Sequence, residues 1–359
     1  MSENSQHIIV IGAGLIGLCS AYSLRTRGAK VSLIDIKSGP CLGTSFSNSG
    51  MIHPSQSKSW TLGEHVTSDQ INATKVTFDL AKQSAELIRP IFKTLGLPIL
   101  SEGCVQIYES LDMARLAQTK FQAQNIETDI LLDPIETLNQ PACVFKGDFS
   151  GNARDFGVKL ATYLDAQGVT QFYNVKTVDI RPNDHNKIRV RTGAFQLDCD
   201  HIVVAAGIHT ADILKTFGIN MNIGAVPGVA LNFDRPADLT GFPSRSVMDH
   251  TSRTALTIFE DCVRLSGGWD IDDPDLILAR WKTLAPDLMK RLGSPTSNWV
   301  GYRPVSPLGR PYISSTSKPG IWVNAGHGHM GWTLCAGSGD LIARMIIEGQ
   351  QDLRFSFVG

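Results

Sequence analysis

With 359 residues of which 42% are hydrophobic, the chain is long enough to bury about two domain cores. Its 33 Lys and Arg against 34 Asp and Glu leave a formal net charge of −1, which excludes the broad electrostatic field that recruits nucleic acid or an anionic membrane. The seven cysteines, Cys19, Cys41, Cys104, Cys143, Cys199, Cys262 and Cys335, are scattered without CxxC spacing and read as free, mostly buried thiols of a reducing, cytoplasmic compartment.

The first residues, "MSENSQ", carry no basic n-region, so no signal peptide is expected. The longest apolar run, Ile8 to Cys19, falls well short of the ~20 residues that cross a bilayer, so no transmembrane segment is expected and any membrane contact would be peripheral. Ile8 to Ile11 reads as a buried strand, and Gly12, Gly14 and Gly17 follow it in GxGxxG spacing. Leu15 to Arg27 has helical periodicity ending at Gly28, and Lys30 to Ile36 reads as a second strand closing with Asp35. In such a unit the first glycine makes the tight turn, the second lets backbone approach a pyrophosphate, and the third packs helix on strand. The amides of the helix start, Leu15 and Ile16, then face the anion. Asp35, with Ile36 beside it, is placed to take the hydroxyls of an adenosine ribose, and its charge disfavours the 2′-phosphate of NADP.

Further along, "GTSFSNSG" (Gly43 to Gly50) is a polar turn, and Ser68 to Leu95 is a long helical pattern ending at Gly96. A helix ends over Leu160 to Gly168, followed by a strand from Gln171 to Asp179, and "HIVVAAGIHT" (His201 to Thr210) reads as a strand and an AxG turn. Thr254 to Phe259 and Val263 to Ser266 read as antiparallel strands joined at Glu260 to Cys262, and Trp281 to Leu292 as a covering helix. The segment from Gly301 to Ile346 holds a proline-rich turn, a strand from Gly320 to Asn324, a second glycine turn and a helix starting near Met330. An NAD dehydrogenase has no need of that second turn. A flavin needs backbone amides near its C2 carbonyl and N1, which a helix start supplies.

On the quoted segments, with "GYRP…PLGRPYI" and "GHGHMGWT…GSG" most specific, the chain resembles the D-amino-acid oxidase type of flavoenzyme, closest to its bacterial D-amino-acid dehydrogenase branch. The resemblance implies an α/β, two-domain flavoprotein with a Rossmann-like FAD-binding domain (1-70, 149-222 and 299-359) and an antiparallel-sheet substrate domain (71-148 and 223-298). It implies noncovalent FAD, and a small amino-acid or amine substrate oxidised by hydride transfer to flavin N5, giving an imine that hydrolyses to a 2-oxo acid. Electrons would then pass to oxygen, a quinone or a partner subunit. The alternative is a subunit of a heteromeric amine oxidoreductase acting on glycine, sarcosine, proline or an opine. The chain departs from the branch at Met51, Leu308, His329 and the lysine-free "AVPG" (Ala225 to Gly228).

By the same resemblance, Arg303 of "GYRP" binds the substrate carboxylate, for which a planar guanidinium fork is suited; a structural salt bridge is the duller role. Tyr302 and Tyr312 flank it as hydroxyl donors or packing residues. Thr44, Ser45, Asn48, Ser49, Gly50 and Met51 are expected beside the flavin or its phosphates, although turn chemistry alone accounts for Thr44, Ser45 and Asn48. Val175, Ala206 and Gly207, and the run Gly326, His327, Gly328, His329, Met330, Gly331, Trp332 and Thr333, complete the expected cofactor contacts. His53 follows the "NSG" turn as a pocket wall or a proton carrier, and Trp332 is a pocket wall or core. His327 and His329 look like an HxH metal pair, but further ligands are wanting and no metal is expected.

Overall fold

The computed structural model describes residues 5–60, 67–132, 138, 140–176, 179–182 and 187–357. The strand His7–Ile11 is buried along its whole length, and its alternate side chains serve two cores: Ile8 and Val10 join one, Ile9 and Ile11 the other. Period-two alternation with both faces apolar is what a central parallel strand requires. Gly12 then turns at φ +114°, where a Cβ would overlap the Ala205 carbonyl, so only glycine lets the chain pass beneath the neighbouring strand. The helix Leu15–Thr26 lies back on the strand because Gly17 has no Cβ to collide with the Gly12 carbonyl.

Six strands form one sheet in the order Tyr312–Ser315, Ile321–Ala325, His201–Val204, His7–Ile11, Lys30–Ile34, Thr170–Phe172. All neighbours are parallel except the first pair. The helices Leu15–Thr26, Ser68–Thr94, Ala153–Ala166 and Gly331–Ile347 pack together over one face, and the strands Asp179–Pro182, Ile188–Arg191 and Gln196–Cys199 form a small sheet whose Val190 and Cys199 join the core of the other.

A second sheet runs Ser297–Val305, Gly224–Asp234, Cys262–Gly267, Thr254–Ile258, Val247–Asp249, Ser101–Ile107, Ala142–Ser150, Met51–Ile52, with Thr128–Leu131 also paired to Ala142–Ser150. It is antiparallel except where Val247–Asp249 runs parallel to Ser101–Ile107. Two strands, Ala142–Ser150 and Ser297–Val305, run across the divisions expected at 148/149 and 298/299: the second keeps its register opposite Gly224–Asp234, and the first bulges there, with Phe149 opposite Glu102 and Phe145 opposite Cys104.

Local departures from the expected elements have local causes. The single helix expected over Trp281 to Leu292 is two, Pro274–Leu284 and Pro286–Leu292. Pro286 has no N–H to donate and drives Ala285 out of helical geometry, to φ −140° and ψ 64°. The strand expected from Gln171 to Asp179 stops at Phe172, and Asp179 instead opens a strand of the small sheet; residues 177 and 178 lie outside the described ones. Residues 1–4, where the leader reading begins, also lie outside them. Among the described residues no helix is long and apolar enough to cross a membrane.

Candidate active site

A cavity of about 820 Å³ opens at the carboxyl edge of the parallel sheet and extends to the second sheet. Three turns meet there, each at the end of a parallel strand: Gly12 and Gly14, Ala206 and Gly207, and His327 to His329. Ligand sites of open α/β sheets form at this edge, where strand ends leave backbone groups free.

At one end, the Asp35 carboxylate accepts the Ala13 amide at 2.6 Å and the Lys37 amide at 2.7 Å. It therefore pins the glycine turn while lining the cavity, and Ile36 lies beside it, 56% exposed. The Leu15 amide at the helix start donates to Ser45 Oγ at 3.1 Å, and Ile16 also lines the cavity. Around the missing Cβ of Gly14, the Ser45 hydroxyl at 3.2 Å is the only atom of the described residues in close reach. Val175 stands off the cavity wall, where its amide donates to the Asp35 carbonyl and its side chain packs in the core beneath.

The loop from 43 to 51 is held by its own turn chemistry. Asn48 Oδ1 accepts the Gly50 amide at 2.8 Å, Ser49 Oγ accepts the Met51 amide at 3.4 Å, and Thr44 Oγ1 donates to the Tyr302 carbonyl at 2.8 Å. Gly50 has φ +73° with the Phe259 ring 2.9 Å from where its Cβ would be, while its carbonyl accepts the Trp332 indole N–H at 3.1 Å. Trp332 is buried against Phe92 and Phe156, so its ring is a wall between core and cavity. Thr333, fully buried, accepts the His53 amide at 3.1 Å, and Met330 is core. Gly326, at φ +77°, faces Ser306 rather than the cavity.

Arg303 projects from the strand Ser297–Val305, half-buried, with Nη1 donating to the Pro227 carbonyl at 2.8 Å. It makes no ion pair among the described residues, and burial pushes its guanidinium down to about 10. Tyr302 touches the cavity rim at 46% exposure, while Tyr312 is buried against Phe357 in the six-stranded sheet, away from the cavity. His53, His327 and His329 all line the cavity, and each leaves one buried ring nitrogen without a partner among the described residues. Burial holds them neutral, His53 and His327 down at about 3 and His329 at about 4; the His329 ring lowers His53 further, and Arg303 and Arg253 lower His329. Among the described residues, no three His, Cys, Asp or Glu side chains group as metal ligands.

Most of the expected residues thus converge on one cavity; Gly17, Gly50, Val175, Gly326, Met330 and Thr333 instead shape or support its walls. The cavity also holds residues that no sequence pattern announces. Trp60 lies 2.7 Å from where a Gly328 Cβ would be, Trp269 stacks edgewise on His329 at 5.9 Å, and the Gln56 carbonyl meets His329 Nε2 at 3.3 Å.

The chain matches the model of the family described as FAD dependent oxidoreductase, DAO, over residues 7–345. It is similar to the D-amino acid dehydrogenase of Vibrio vulnificus (strain YJ016), with 26% identity covering 96% of each chain. Its fold is similar to that of glycine oxidase from Geobacillus kaustophilus (TM-score 0.81, 19% identity, covering 99% of this chain and 100% of that one). It is also similar to that of L-proline dehydrogenase from P. horikoshii (TM-score 0.79, 17% identity, 98% and 93%). The cavity fits FAD on its own features: the open face of Gly14 at a helix start, the carboxylate of Asp35, and orphaned histidine nitrogens at the far end.

Proposed function

Since the chain belongs to the DAO family of FAD-dependent oxidoreductases, we propose that it oxidises a small amino acid at the carbon bearing the amine, with D-amino acids as the favoured class. The observation that carries this reading is Arg303, a guanidinium on the cavity wall with no carboxylate of its own. Leaving a charge half-buried and unpaired is costly, and the cost is offset when a substrate carboxylate arrives to take the fork bidentately. When bound, FAD supplies the two-electron acceptor that turns the amine carbon into an imine, which water hydrolyses to the 2-oxo acid.

The protein's own part is binding and orientation. Arg303 would fix the carboxylate and so hold the adjacent carbon at the cavity wall. His53 and His329, kept neutral by burial, wall the site without holding a proton to give near pH 7. Trp332 and Trp269 supply apolar walls that exclude water from the reacting carbon. Gly14, Asp35, Thr44, Ser45 and the turn from His327 to Gly331 would hold the cofactor.

Anaerobic mixing of the yellow holoprotein with D-amino acids, their L enantiomers, glycine, sarcosine, proline and opines tests the reading. D-amino acids should bleach the flavin absorbance fastest. Bleaching by none of them, with dithionite still reducing the flavin, would overturn it.

A further inference from the structure

The charged side chains lining the cavity are Asp35, Lys37, Lys58, Arg253 and Arg303. Asp35 is the lone carboxylate among them, and it lies at the glycine-turn end, engaged with the Ala13 and Lys37 amides. The substrate end therefore holds three cations and, among the described residues, no lining carboxylate. Among the described residues none of the three is in an ion pair: Arg303 bonds the Pro227 carbonyl and lies 6.0 Å from the centre of the Trp269 ring, the exposed Lys58 ammonium rests 5.4 Å from the centre of the Phe121 ring, and the exposed Arg253 side chain makes no hydrogen bond.

Carboxylates that could have neutralised them are engaged elsewhere. Asp249, on the same turn as Arg253, is held by Arg280 at 2.7 and 3.0 Å and by Ser252. Glu109 accepts the Thr251 hydroxyl at 3.0 Å. The Arg253 backbone is nonetheless fixed: it has φ +54°, its amide donates to the Asp249 carbonyl, and its own carbonyl accepts the Gly268 amide, which sets the point from which the side chain leaves. A non-glycine residue in the left-handed region persists only where its surroundings over-determine it, and such positions cluster at ligand sites.

The cations also act as one group. Lys58 is lowered by burial and then by Arg253, and the His329 ring, lowered chiefly by burial, is depressed further by Arg303 and by Arg253. His329 thus feels both Arg303 and Arg253.

We propose that the cavity is built for an amino acid with a second anionic group, a side-chain carboxylate received by Arg253 and Lys58 while Arg303 takes the α-carboxylate. This rests on the amino-acid reading above. Like charges gathered without counter-ions raise the energy of the empty site, and a dianionic substrate relieves it at both ends. A neutral side chain relieves only one.

The test compares aspartate and glutamate with asparagine and glutamine, which match them in shape, in both enantiomers, using anaerobic flavin reduction by the holoenzyme. The kcat/KM ratio of acid to amide should be about 10 or more, and it should fall at least about fivefold in Arg253→Asn and in Lys58→Gln. Asparagine tolerates the left-handed backbone at 253, and Lys58→Gln leaves that turn untouched. An acid-to-amide ratio near one, or a ratio unchanged in both variants, would overturn the proposal. Calorimetric titration of the holoenzyme with glutarate and with butyrate separates the two readings. Glutarate should bind about tenfold tighter, and loss of that advantage with neutral amino acids still reducing the flavin would remove the second anion site alone. Flavin reduction by no amino acid of any kind would instead remove the amino-acid reading.

Discussion

Gly228 and Arg303 lie on neighbouring strands so close that a Cβ on Gly228 would overlap the guanidinium carbon and both of its terminal nitrogens. The arginine reaches the cavity wall across the bare backbone of that glycine. Gly228→Ala should therefore displace the fork and raise KM for the best amino acid by about tenfold, with flavin content unchanged. Steady-state kinetics with the 450-nm flavin band as the control checks it.

Direct removal of the charge should cost more. A charge-assisted bidentate pair is worth on the order of 3 kcal/mol, so Arg303→Ala should lower kcat/KM about a hundredfold or further. Arg303→Lys should recover only part of the loss, since an ammonium cannot reproduce the fork. Near wild-type efficiency in a flavin-loaded alanine variant would place the active site elsewhere.

Two glycines of the first turn should separate in their effects. Gly12→Ala puts a side chain onto the Ala205 carbonyl at a positive φ, so its expected loss is in folding: less soluble protein and a lower Tm. Gly14→Val faces the cavity, with the Ser45 hydroxyl at 3.2 Å, so it should fold and lose FAD. A folded Gly14→Val protein that stays fully yellow would contradict the placement of the pyrophosphate.

Trp332 should matter to stability more than to turnover. Its N–H is engaged by the Gly50 carbonyl and its ring is packed against Phe92 and Phe156. Trp332→Phe should cost ~1 kcal/mol or somewhat more by denaturant titration, while kcat stays within about threefold. A fall of two orders of magnitude in kcat would instead make the indole catalytic.

Stability should fall as the solution is acidified below about pH 6.5. His53, His327 and His329 are neutral in the native cavity, at about 3, 3 and 4, so the unfolded chain binds protons first and is favoured as pH drops through that window. Asp148 works in the opposite sense: buried with Ser55, its carboxyl is raised to about 7, so its contribution is greatest at low pH and fades from the ordinary carboxylate range up to 7. Three rings against one carboxyl leave an excess of roughly two protons in the unfolded chain, so Tm should climb between about pH 4.5 and 6.5. His327→Asn should flatten that slope. A Tm independent of pH over the window would mean that the rings titrate in the folded protein.

How much of this was legible in the sequence follows from how local each signal is. Gly12, Gly14, Gly17 and Asp35 carry turn chemistry within one βαβ unit, and the structure brings them together around one turn. Pro286 was equally local, yet the apolar periodicity running from Trp281 to Leu292 masked the break it makes. Trp60 beneath Gly328, Trp269 beside His329, and Arg253 on its strained turn share no spacing that could join them. They meet only in the folded chain, from segments far apart in sequence. The service of Gly228 to Arg303 is a matter of register, Val226 opposite Arg303 and Gly228 opposite Gly301, which composition cannot reveal. Turns of the cofactor end were therefore readable from local spacing, while at the substrate end Arg303 was legible through its motif and Trp60, Arg253 and Trp269 were not.

The strand order of the six-stranded sheet also sets a schedule for biosynthesis. His7–Ile11 completes its ladder only against His201–Val204, which leaves the ribosome much later. At ~5–20 residues per second, the nascent chain carries that apolar strand with one edge open for roughly 10 to 40 s, a window in which holdase chaperones compete with aggregation. The turn from Gly326 to Gly331 is made later still, and the helix Gly331–Ile347 then closes over Leu15–Thr26. Loading of the cofactor is thereby deferred until that helix has been made, and a chain stopped short of it would be released colourless, marked for degradation by the unpaired surface it leaves exposed.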